Sequence, residues 1–146
     1  MISRCKHFLM FALLVGLISC DGDSAVLRAG GTVKLSDRVR VAMDEKCGSI
    51  FFIKADSSAP ISCKSVRDGR IHQQGVQRIS RDLIVGESKS PSSARRSYFV
   101  LDLRFGSITE LPSLKELAAA VALIDPQARI PAMDKWTFKS LFEAYD

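Results

Sequence analysis

Residues 98–104, Tyr98-Phe99-Val100-Leu101-Asp102-Leu103-Arg104, decide the fold. Aromatic and branched aliphatic side chains follow one another there without helical spacing, and Phe105-Gly106 then turns the chain, which is the composition and punctuation of a β-strand. Upstream of it, as far as Thr32, the chain reads as further short strands. Downstream of Pro112 the period changes.

Val33 and Leu35, then Val39, Val41 and Met43, alternate with Lys34, Arg38, Arg40 and Ala42, the two-residue period of half-buried strands. Ser49 to Lys54 (SIFFIK) is a short apolar run rich in Ile and Phe, with Asp44 to Gly48 as the hairpin loop before it. Asp68-Gly69 is a two-residue turn pair between Ile61 to Arg67 and Arg70 to Gln73, which would set Val66 opposite Ile71. Val76 to Ser80 and Leu83 to Ser88 form another expected hairpin, turning at Arg81-Asp82. Lys89 to Ser97 reads as a Ser-rich loop, and Ser107-Ile108-Thr109 as a short strand after the 98–104 run.

After Pro112, Ser113 and Glu116 make a Ser-x-x-Glu capping box, and Leu114, Leu117, Ala118 and Val121 fall on one helical stripe that should stop at Asp125-Pro126. A second helix is expected from Asp134 as N-cap, with Phe138, Leu141, Phe142 and Tyr145 as its stripe. The fold class that follows is α+β: a small antiparallel sheet of about 6–7 short strands over residues 32–109, covered on one face by helices at 113–124 and 134–145.

The chain has 146 residues, 47% hydrophobic and 25% charged, the balance of one small globular unit and not of a disordered or collagen-like polymer. Its formal charge is +5, but residues 1 to 19 contribute Arg4 and Lys6 with no acid, leaving 19 basic and 16 acidic side chains beyond them. Residues 28 to 104 carry +7 and residues 105 to 146 carry −2, so the strand region is the basic part. A surplus of this size gives no reason to expect nucleic-acid binding, which needs a concentrated basic surface.

Arg4-Cys5-Lys6-His7 precedes Phe8 to Ile18, an apolar run of 11 that stops at Ser19-Cys20-Asp21. This is the layout of a secretory signal peptide, and the run is short of the roughly 20 apolar residues that a membrane-spanning helix needs. Its end, Leu17-Ile18-Ser19-Cys20, resembles the lipobox of bacterial lipoproteins. The resemblance implies cleavage between Ser19 and Cys20, attachment of a diacylglycerol thioether and further acyl chains such as palmitate to Cys20, and a mature protein beginning at that residue. Two or three acyl chains anchor stably where one does not. In the same resemblance Asp21 is the sorting residue that retains lipoproteins on the periplasmic face of the inner membrane in many Gram-negative bacteria. Residues 20–31 then form the lipidated Cys and a polar tether, and residues 32–146 the folded part.

Two cysteines remain after Cys20, namely Cys47 and Cys63, sixteen positions apart. An exported location permits a disulfide between them, which would stabilise by about 3 kcal/mol on the chain-entropy model. Two free, partly buried thiols are the alternative, and a metal site built from Cys47, Cys63 and His72 has none of the usual ligand spacing. No metal and no cofactor is expected.

Lys89, Arg95 and Arg96 form a basic group in the Ser-rich loop, either solvated or resting on anionic headgroups. Trp136 points about 160° away from Phe138 on a helical wheel. It is therefore either an exposed anchor for a partner or a first-turn residue folded back on the loop at 126–133. For catalysis the material is thin: His72 is the only histidine after residue 19, and neither a Gly-x-Ser-x-Gly elbow nor a phosphate-binding glycine loop occurs. The expected role is thus a non-enzymatic, membrane-tethered binding module of the bacterial cell envelope, with an envelope protein or cell-wall component as partner. Its rivals are an envelope inhibitor or immunity-type protein, and a small hydrolase-like enzyme.

Overall fold

The computed structural model describes residue 27 and residues 30–44, 49–57, 59–61, 71–72, 75–89 and 96–143. The expected leader at 1–19, Cys20, most of the expected tether, the expected turn at Asp68-Gly69, Cys47, Cys63 and Tyr145 lie outside the described residues, whereas Leu27, within the expected tether, is fully buried in the core.

Among the described residues, eight strands form two antiparallel sheets. The first sheet holds β1 (Thr32–Lys34), β2 (Val39–Asp44), β3 (Ser49–Lys54) and β4 (Ile71–His72), in that order. The second holds β5 (Val76–Arg78), β6 (Leu83–Lys89), β7 (Arg96–Asp102) and β8 (Ser107–Leu111), also in chain order. The expected single sheet is therefore two. The break falls between β4 and β5, because β4 pairs back onto β3 through Ile50↔Ile71 and Ser49↔His72, whereas β5 opens a new ladder with β6.

The sheets stack, and α1 (Leu114–Ile124) lies on the far side of the second one, giving three layers. Side-chain alternation along β6 and β7 accounts for this: Ile84, Phe99 and Leu101 face the first sheet and meet Val39, Val41, Ile50 and Phe52 in one core. Leu83, Val85, Tyr98 and Val100 face the other way and meet Leu117 and Val121 of α1 in a second core. With both faces covered, residues 98–103 are buried throughout, and the strand reads as an unbroken apolar run for that reason. Each such aliphatic or aromatic side chain contributes about 1.5–3 kcal/mol of burial.

The Ser113 N-cap forms as expected, its hydroxyl accepting from Glu116 N at 3.2 Å, but Glu116 Oε2 accepts from that hydroxyl at 2.9 Å and not from the Ser113 backbone N–H that a capping box would use. Helix α1 ends where Asp125 takes an extended φ of −143° before Pro126. Its inward stripe is rotated from the expected one. Leu117 and Val121 are buried, but Leu114 is 41% exposed, while Ala120 and Ile124 pack on the core.

The second expected helix does not exist. Two short 3-10 turns, Met133–Lys135 and Phe138–Phe142, replace it, joined by extended backbone at Trp136 and Thr137. The cause is that this segment serves both cores. Trp136 enters the core under α1, whereas Phe138, Leu141 and Phe142 pack on the core between the sheets, so the chain passes around the edge strand β5. Strand β5 supplies the hydrogen bonds a helix would have made internally: Gln77 Oε1 accepts from Thr137 N at 3.0 Å, and Arg78 N donates to Ser140 Oγ at 2.8 Å. The fold is mostly β, with one α-helix among the described residues.

Candidate functional site

Three hairpin turns meet at one end of the sandwich. The β1–β2 turn is built on Ser36, whose hydroxyl accepts from Arg38 N and Val39 N, both at 3.1 Å. The β5–β6 turn closes through Ile79 N to Leu83 O at 3.0 Å, and the Arg78 guanidinium grips it by donating to the carbonyls of Ser80 and Arg81. The β7–β8 turn closes through Gly106 N to Asp102 O at 2.8 Å, with Gly106 at a φ of +64° that side-chain-bearing residues rarely adopt. The turns also bond to one another. Ser36 Oγ donates to Leu103 O at 2.8 Å, and Leu103 N donates to Asp82 O at 2.8 Å.

Between them lies a cleft of about 540 Å³, within the range of small-molecule sites. Its charged lining is uneven: Lys34, Arg38, Arg78, Arg81 and Arg104 stand against Asp37 and Asp82. Lys34 Nζ pairs with Asp37 Oδ1 at 2.7 Å, and this bond holds the Asp37 carboxyl below the usual carboxylate range although the pair is exposed. The Arg104 guanidinium is held by Asp102 at 3.0 and 2.7 Å, which pushes its already high pKa further up. Arg78 is fixed more deeply, by a third carbonyl bond to Leu141 O at 3.0 Å. Arg38 and Arg81 have no ion pair among the described residues. The cleft thus gathers two guanidinium groups held by carbonyls or a carboxylate and two with no ion pair among the described residues, an arrangement that favours an anion.

Of the residues singled out from the sequence, Trp136 and Arg96 are described, and neither lines this cleft. Trp136 is 6% exposed; it folds back on its own preceding loop, with indole Nε1 donating to Pro131 O at 2.9 Å, and so occupies a core position and not that of a surface anchor. Arg96 is the first residue of β7, not part of a loop, and its guanidinium lies 3.2 Å from Glu87 Oε1. Strands β6 and β7 extend to the Lys89↔Arg96 pair, which shortens the expected 89–97 loop. Arg95, Ser19, Cys20, Asp21, Cys47 and Cys63 lie outside the described residues. The signal that sequence reading passed over was the position of Arg38, Arg81 and Arg104, each at a hairpin turn of the basic region.

The described part of the chain is therefore a three-layer β/β/α domain with a cationic cleft formed by its turns. The chain matches no protein-family model, no curated protein and no solved structure. No helix among the described residues is long and apolar enough to cross a membrane.

Proposed function

We propose that the protein is an exported lipoprotein of the bacterial cell envelope, a non-enzymatic binding module tethered to the membrane through acylated Cys20. The observation that carries this reading is the sequence Leu17-Ile18-Ser19-Cys20 at the end of an 11-residue apolar run that begins just after a basic tetrapeptide. Anchoring concentrates a weak binder at one surface, which suits a domain that carries a cationic cleft among its described residues. The Ser36 hydroxyl, which lines that cleft, is already engaged by Leu103 O and two backbone N–H groups.

Mass determination of the protein from its native membrane, alongside fractionation of Cys20→Ser, tests the reading. The expected result is a wild-type chain starting at residue 20 with a diacylglyceryl adduct, and a variant that carries no acyl label and leaves the membrane. A wild-type chain with an intact initiator methionine and no acyl group would reject it.

A further inference from the structure

We infer that the cleft between the three turns is a binding site for a phosphoryl group. The inference rests on the reading of the domain as a binding module, but not on the acylation of Cys20. Three observations carry it.

The first is the division of labour among the cations. Arg78 and Arg104 are immobilised by carbonyls and by Asp102, so their charge is fixed in place before any ligand arrives. Arg38 and Arg81 keep their guanidinium donors unused among the described residues, on two different turns that face one cavity. A planar fork with several donors suits the oxygens of phosphate, and a pair of forks from separate turns suits a group with oxygens in several directions better than a flat carboxylate. The second is size. About 540 Å³ is more than an inorganic ion requires, so the phosphoryl group would belong to a larger molecule. The third is Phe105, 71% exposed beside Arg104 with that guanidinium 5.3 Å from its ring centroid. An uncovered aromatic at the tip of the turn gives an apolar contact next to the anion site, as either a lipid headgroup with its acyl chains or a phosphorylated apolar solute would use.

The test uses the full chain in neutral detergent micelles, titrated with pyrophosphate and, separately, with citrate. Hydrogen exchange of the turns at residues 35–38, 79–82 and 103–106 and the thermal midpoint are the readouts. Pyrophosphate is expected to protect the turns and raise the midpoint, and citrate to do neither at equal ionic strength. Arg38→Gln and Arg81→Gln should each weaken the pyrophosphate response about tenfold, the loss of one charge-assisted contact. Lys115→Gln on α1, with the same charge change, should leave it intact. Thermal midpoints without ligand establish that the variants are folded.

Reconstitution into phosphatidylcholine vesicles with and without phosphatidylglycerol separates the sources. Protection of the turns by phosphatidylglycerol that Phe105→Ser abolishes assigns a lipid headgroup. Protection by pyrophosphate alone assigns a soluble phosphorylated ligand. An absent pyrophosphate response, an equal response to citrate, or arginine variants that bind as wild type would overturn the site. The acylation test on Cys20 reads a different end of the chain, so either result can fail without the other.

Discussion

Phe99 lies across Gly86. The two residues are paired directly between β7 and β6, and a methyl group placed on Gly86 would overlap Cζ and Cε1 at the tip of the Phe99 ring. The ring occupies the space above the glycine and is fully buried in the core between the sheets. A glycine in the middle of a strand weakens it locally, and here the offset is a large aromatic side chain closing the resulting gap.

Gly86→Ala should therefore destabilise, although alanine is the better strand residue on an exposed surface. Displacing the ring is an overpacking change costing about 1–3 kcal/mol, whereas Phe99→Ala should cost about 3–5 kcal/mol through the cavity it leaves. Urea unfolding of both and of Gly86→Ala/Phe99→Ala measures the coupling. If the two residues share one space, the double variant is less unstable than the sum of its singles.

Ser140 covers the outer edge of β5 and is buried, accepting from Arg78 N and donating to Thr137 O at 2.6 Å. Ser140→Ala removes the hydroxyl that accepts from Arg78 N at a covered sheet edge, at a cost of about 1–3 kcal/mol. Hydrogen exchange at Arg78 N should accelerate far more than exchange in β7. Uniform acceleration across the second sheet would mean that the contact does not pin the edge.

Trp136 is the sole tryptophan, so its fluorescence reports the core under α1. Emission should be blue-shifted in the folded protein and move to the red on unfolding. Trp136→Ala should cost about 3–5 kcal/mol, and Trp136→Phe less, since it keeps most of the ring and loses only the bond to Pro131 O. Red-shifted emission from the native chain would contradict the burial.

Ser113→Ala removes the N-cap of α1 and should cost about 1 kcal/mol. Because α1 packs on β7 through Leu117 and Val121, the loss should appear in the global transition as well as in helix fraying. Equilibrium unfolding followed by circular dichroism and by Trp136 emission should give coincident shifts.

The cysteine pair carries a separate expectation from its spacing. A disulfide between Cys47 and Cys63 would make the protein lighter by two hydrogens than its reduced form, and reduction should lower stability by about 3 kcal/mol. Two alkylatable thiols in the native protein would rule the bridge out.

What the residues determined on their own was local. The alternation at Val39, Val41 and Met43, the Ser113 cap and the stop at Asp125-Pro126 produced the elements they announced, and the run at 98–104 produced its strand as far as Asp102, with Leu103 and Arg104 falling in the turn, since each depends on neighbours a few positions away. The basic residues at 4–7, the apolar run at 8–18 and the Cys20 after it, on which the proposed export rests, are equally a pattern of contiguous residues.

Tertiary structure decided the division into two sheets, because a period of two states which residues share a face but not which strand lies alongside. It also decided the fate of residues 133–142. Their apolar spacing is helical, yet Trp136 and Leu141 belong to cores on opposite sides of the second sheet, and only an extended crossing around β5 satisfies both. The cleft arose in the same way. Arg38 and Arg78 are forty positions apart and Arg81 and Arg104 twenty-three, and they line one cavity because antiparallel pairing brings three hairpin turns to the same end of the sandwich.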